Sequence, residues 1–159
     1  MITDALLAYL HHIAAFALVA IVFVEMALCK PGMTAAQTRQ LTRYDLFYGV
    51  FAGVLLIAGY ARVYFGAKGA AFYWGNPVFH AKLGVFLLIG LLSVPPTLRY
   101  FKWGKALRAN PSFTANADEI KSTRKFIHIQ ALLIVQALLI VVVPLLAALM
   151  ARGIGYTAK

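Results

Sequence analysis

Residues 5–29, ALLAYLHHIAAFALVAIVFVEMALC, run for 25 positions with one acidic side chain, Glu25, and no lysine or arginine. As a helix rising 1.5 Å per residue, such a run is about 38 Å long, more than the roughly 30 Å of a bilayer's hydrocarbon core. Inside lipid a backbone must satisfy its own N–H and C=O groups, so an isolated apolar run of this length is expected to be helical. It is too long for the apolar segment of a secretory signal and no basic residue precedes it, so it reads as a span retained in the mature chain. Lys30-Pro31-Gly32 stops it.

Three further apolar runs follow, at about 46–65, 78–98 and 126–150. The reading is an all-α membrane protein, a single domain over residues 1–159 built as a four-helix transmembrane bundle. Composition agrees: 62% of the chain is hydrophobic and 13% charged, with a mean hydropathy of +0.80, whereas soluble domains carry about 25% charged residues. The segment Thr34 to Arg43 reads as a short interfacial helix or loop, residues 99–125 as a basic loop, and Pro95-Pro96 as a kink or end of the third span. Phe72, Tyr73 and Trp74, before Asn76-Pro77, are placed at headgroup level.

The net charge of +10 would suggest nucleic acid in a soluble protein. Here the cations flank apolar runs, where they meet anionic headgroups, so nucleic-acid binding is set aside. Ten of the fifteen lysines and arginines fall after the first and third runs. Basic loops are retained in the cytoplasm, which puts both termini outside, on the periplasmic face of a bacterial inner membrane. Cys29 is the single cysteine, so no disulfide framework or cysteine-pair metal site exists. No P-loop, nucleophile elbow or His-Glu-x-x-His motif is present.

Ionisable residues at membrane depth are expensive and are functional candidates by default. His11 and Glu25, fourteen positions apart, share a helix face with Ala15, Leu18 and Val22, whereas His12 lies about 100° away. One cluster, His11, Arg62, His80 and Lys82, falls toward the outer side. A second, Glu25, Asp45 and His128 with Arg43 nearby, falls toward the cytoplasm. His80 and Lys82 point about 200° apart on a helix, so only one of them faces the bundle. Each candidate also has a plainer role: His80 and His128 as interfacial residues, Arg62 and Lys82 as snorkelling or ion-pairing cations, and Glu25 and Asp45 as partners of Arg43 or Lys30.

Imidazoles from two helices among Phe, Leu and Val walls suit an axially ligated haem better than a structural zinc, which wants four close ligands. His11 with His80 meets the equal-depth condition for bis-histidine ligation, and His11 with His128 does not; all three remain candidate iron ligands. Arg62, Lys68 and Lys82 are candidate partners for propionates. Gly49-x-x-x-Gly53 fits close helix packing, within the chain or in a homo-oligomer.

Two resemblances stand beside this reading. Tyr9-Leu-His11, Asp45-Leu-Phe-Tyr-Gly49, Gly66-Ala-Lys-Gly-Ala-Ala-Phe-Tyr73, Asn76-Pro77, Gly90-Leu-Leu-Ser-Val-Pro-Pro-Thr97 and Ala151-Arg-Gly-Ile-Gly155 resemble a family of small bacterial inner-membrane proteins known only as a domain of unknown function. More remotely, Phe79-His80-Ala81-Lys82-Leu83 opening a helix, with a histidine early in the first span, is similar to the membrane-bound protoporphyrinogen IX oxidase family, whose members bind haem b. That likeness implies a ligand role for His11 and an essential basic role for Lys82. The expectation is therefore a haem b-binding membrane oxidoreductase in electron transfer or porphyrin or quinone oxidation, with Arg62 and Lys82 at the reacting site and a quinone or redox partner. The alternatives are a cofactor-free transporter or channel subunit and a membrane assembly partner.

Overall fold

A computed structural model describes residues 2–66 and 69–151, with the side chains of Val78 and residues 137–151 outside the description. All its regular structure is helical: α1 (Ile2–Leu28), α2 (Ala35–Phe65), α3 (Gly69–Trp74), α4 (Pro77–Ala109) and α5 (Ala117–Ala151). Among the described residues three helices are long and apolar enough to cross a membrane, within Ile2–Leu28, Ala35–Phe65 and Phe79–Ala109. The fourth apolar run lies in α5, mostly where side chains are not described.

The long helices form a ring in which α1 meets α2 and α5, and α4 meets α2 and α5, so that α1 and α4 are diagonal to one another. The α1–α2 seam is the most extensive. The buried stripe of α1 is Ala14, Leu18, Ile21, Val22 and Glu25, a 3.6-residue repeat along one face. Packed against it are Leu41, Tyr48 and Leu55 of α2, Tyr100 and Trp103 of α4, and Ile120, Ile127, Ala131 and Ile134 of α5.

The segment from Thr34 to Arg43, expected as a short interfacial helix or loop, and that from 99 to 125, expected as a loop, are mostly parts of the long helices. Thr34 and Gln37 form a reciprocal capping box, the Gln37 N–H donating to Thr34 Oγ1 at 3.2 Å and the Thr34 N–H to Gln37 Oε1 at 2.8 Å. It satisfies two orphan donors and lets α2 start at Ala35, eleven residues before its apolar run. Lys30-Pro31-Gly32 does turn the chain, with Gly32 at φ +75°, a conformation open to glycine at no steric cost. On α5, the Asp118 N–H donates to Asn116 Oδ1 at 2.9 Å, and Asp118 and Glu119 occupy the positive first turn.

Pro95 and Pro96 do not end the third apolar helix, which continues to Ala109. Each proline forfeits a ladder bond, which tertiary packing and local side chains offset in membrane helices. Pro96 is fully buried, and the Ser93 hydroxyl donates to the Gly90 carbonyl at 2.7 Å.

Candidate functional site

The end of the bundle that carries His11 is where packing opens. No side chain from Phe79 to Pro95 of α4 is buried among those described, and a cleft of about 550 Å³ lies where α1, α2, α3 and the start of α4 meet. Its walls are aromatic and aliphatic, among them Tyr60, Tyr73, Trp74, Phe79 and Phe86. Its polar members include His11, Arg62 and Lys82. Pockets of roughly 300–1,000 Å³ with mainly apolar walls and a few convergent polar groups are the usual form of a cofactor or small-molecule site.

His11 reaches this cleft because α2 lets it. Its Nδ1 lies 3.2 Å from the Leu55 carbonyl oxygen. A carbonyl only accepts, so Nδ1 carries the proton and Nε2 keeps the lone pair. One turn along, Gly59 has no side chain to obstruct the ring: a Cβ there would sit 3.2 Å from His11 Cε1. Histidine ligands of metals usually donate their second N–H in this way, which fixes tautomer and ring orientation.

At the rim, Arg62 keeps a buried Nε with no hydrogen-bond partner. Neither Arg62 nor Lys82 has a carboxylate within ion-pair distance among the described residues. The Asp4 carboxylate lies nearby, beside Gly66, but pairs with neither cation, so Arg62 and Lys82 beside the imidazole are open to an anionic ligand.

The other candidates lie elsewhere. His12 is exposed, its Nδ1 2.6 Å from the Ala8 carbonyl oxygen one turn back. His80 is exposed and is not among the residues lining the cleft. Its Nε2 donates to the Trp74 carbonyl at 2.9 Å, and its ring joins an aromatic group with Trp74 and Phe79. Lys82 faces the cleft and His80 does not, the divergence that a two-residue spacing demands on a helix. His128 on α5 is exposed, with Nδ1 2.7 Å from the Arg124 carbonyl oxygen. The described residues hold no group of three or more His, Cys, Asp or Glu side chains arranged for a metal ion. Lys68 lies outside the described residues.

The inner polar residues form a different kind of site. Glu25 is 3% exposed, and its Oε1 has no hydrogen-bond partner. Arg43 and Lys30, its expected partners, are both exposed and reach neither carboxylate; the length of their stems lets them point to water. Asp45 instead accepts from the Thr97 hydroxyl at 2.6 Å. Across the bundle the Gln130 amide donates to Tyr48 Oη at 2.8 Å. Arg124 of α5 donates to the Cys29 carbonyl at 2.6 Å and the Met26 carbonyl at 3.3 Å, satisfying acceptors at the C-terminal end of α1.

Among the described residues Gly49 and Gly53 make no close helix contact: a Cβ at either would meet nothing within 4 Å. Gly59 and Gly104 are where helices approach instead, against His11 and Thr42.

Comparison with curated proteins and with solved structures yields no match. At family level residues 3–155 match nearly end to end, and the chain belongs to the family described as Predicted membrane protein (DUF2214).

Proposed function

We propose that this chain is a haem b-binding protein of the bacterial inner membrane with a redox role, in electron transfer or in porphyrin or quinone oxidation. The observation that carries the reading is the His11 imidazole at the cleft, with Nδ1 engaged by the Leu55 carbonyl at 3.2 Å and Nε2 left to bind iron. The aromatic walls suit a flat macrocycle, and Arg62 and Lys82 suit its propionates or an anionic substrate. A haem held there supplies one-electron chemistry. The chain supplies the ligand, the charge balance and the dry wall. Because His80 and His128 do not line the cleft, His11 is the histidine that would hold the haem in this reading.

In the same reading α5 is the fourth span, and both termini face the periplasm. Reporter fusions after residues 33 and 113 should report the cytoplasm, and a fusion at the C-terminus the periplasm. The deciding measurement is the visible spectrum of protein purified in mild detergent, before and after dithionite. A Soret band that shifts on reduction is expected. A preparation that stays colourless when haem is supplied during expression overturns the reading.

One observation favours a second reading, a cofactor-free proton or solute carrier: the buried carboxyl of Glu25 has an unpartnered oxygen, and intramembrane carboxyls mark ion routes. Flux in proteoliposomes that disappears with Glu25→Gln and Asp45→Asn would establish it; flux indifferent to both would remove it.

A further inference from the structure

At the end of the bundle opposite His11, α2 and α4 approach closely. A Cβ at Gly104 of α4 would lie 3.0 Å from Thr42 Cγ2 of α2, and the Thr42 hydroxyl hydrogen-bonds toward the carbonyls of Thr38 and Tyr100, at 3.1 and 3.4 Å. Beside this contact lies a second cleft of about 340 Å³, lined by Arg39, Thr42, Arg43, Gly104, Leu107 and Arg108.

Half of that lining is arginine. All three arginines are exposed, and among the described residues none has a carboxylate within ion-pair distance. No carboxylate lines the cleft either. Three guanidinium groups gathered without counter-charge repel one another, and an anion between them reverses the sign of the interaction. Guanidinium forks match the oxygens of phosphate in particular.

Position selects the source of the phosphate. Arg39 and Arg43 lie within two turns of the apolar run that begins at residue 46, and Arg108 lies beyond the run that ends at residue 98. The cleft is therefore at the membrane edge, on the end that holds most of the lysines and arginines. Leu107, 6% exposed, gives it an apolar wall. Basic pockets between membrane helices on the cytoplasmic side are suited to anionic headgroups.

We infer that the cleft between α2 and α4 binds the phosphate of an anionic phospholipid, held by Arg39, Arg43 and Arg108. The site is independent of the His11 cleft and of what that cleft binds. The test is a titration of the full chain in mild detergent with phosphatidylglycerol, phosphatidylcholine or inorganic phosphate, with bound lipid counted by native mass spectrometry. Phosphatidylcholine carries the same phosphate but cancels its charge with a quaternary ammonium that the three guanidinium groups repel, so phosphatidylglycerol is expected to bind on the order of a hundredfold more tightly, each basic side chain favouring the net-negative headgroup by a factor of about five. The combined variant Arg39→Ala, Arg43→Ala, Arg108→Ala is expected to lose that preference. Removing three cations of the same end outside the cleft, with Lys102→Ala, Lys105→Ala and Lys121→Ala, should preserve it. Equal binding of the two lipids overturns the site, as does equal loss in both triple variants. Inorganic phosphate that competes at the same concentration as the lipid overturns the assignment to lipid. If the arginine variant does not fold, Arg→Lys at the same three positions serves in its place. It keeps charge but removes the fork, and an unchanged preference then overturns the guanidinium assignment.

Discussion

The two ends of this bundle place polar groups in the same apolar setting and do opposite things with them. In the half around Asp45, the side chains of Tyr48, Tyr100, Trp103, Gln130 and Glu25 are buried. Several polar groups there are closed by another helix, Asp45 by Thr97, Tyr48 by Gln130 and the end of α1 by Arg124, while Glu25 Oε1 and Tyr100 Oη are buried without a hydrogen-bond partner. In the half around His11, α4 buries no described side chain before Pro96, and His11, Arg62 and Lys82 border an open cleft. Where polar groups satisfy one another they specify a packing. Where they are left facing space they specify a ligand. If the proposed site is right, the cross-helix bonds around Asp45 and Tyr48 serve stability and the His11 cleft serves binding, so substitutions in the two halves should separate in what they disturb.

The largest effect is expected at His11. His11→Ala removes the only imidazole on the cleft and should abolish the Soret band while leaving the unfolding midpoint of the apoprotein nearly unchanged. His80→Ala and His128→Ala should each retain haem. Loss of haem in His80→Ala with retention in His11→Ala would reverse the ligand assignment. Next is Gly59→Leu, which puts a side chain where Cβ alone would be 3.2 Å from the His11 ring. Haem occupancy should fall by about tenfold, as a displacement of about 1 Å at a site typically costs more than that.

Much of the bundle was legible in the sequence because lipid leaves few choices. The stripe through Leu18, Val22 and Glu25 follows from helical periodicity, and those three residues are buried, with His11 turned inward from the same face. Ala15 was placed on the stripe, yet its neighbour Ala14 is the buried one, since adjacent positions differ by only 100°. The extension of α2 back to Ala35 goes beyond the short interfacial helix or loop expected there; its signal is Thr34-x-x-Gln37, a capping signature that hydropathy does not weigh. Of the kink or end expected at Pro95-Pro96, the end does not occur: a strong local rule is overridden by packing around Pro96. Gly49-x-x-x-Gly53 drew attention as a pattern, whereas Gly59, which positions His11, belongs to no pattern and needs the ring across from it to be seen. The link from Gln130 to Tyr48 is invisible in sequence, because it joins helices diagonal in the bundle, 82 residues apart.

Smaller effects test the inner half. Tyr48→Phe leaves the buried Gln130 amide without its acceptor and should lower stability in detergent by about 1–3 kcal/mol. Adding Gln130→Leu should recover most of that loss, because removing both partners of a buried hydrogen bond is nearly neutral. Arg124→Ala frees the carbonyls at the end of α1 and should cost about 1 kcal/mol. Haem occupancy should be unchanged in all three. A drop in occupancy in any of them would show that the two ends are coupled and would break the division of labour drawn above.

The smallest effect is the most useful for the surface of α2. Gly53 lies six residues before Gly59 on the same helix, yet a Cβ there meets nothing within 4 Å. If that face meets only lipid, Gly53→Leu replaces a poor helix former with a good one at no steric cost and should raise stability, by up to about 1 kcal/mol. If Gly49 and Gly53 instead hold a second copy of the chain, the same leucine forces two backbones apart. Stability then falls, and the species seen by light scattering in detergent shifts from dimer to monomer. Gly59→Leu lowers haem occupancy in either case, so the pair of variants separates a glycine needed inside the bundle from one needed at its surface. The sign of the Gly53→Leu change decides whether α2 faces lipid or a partner.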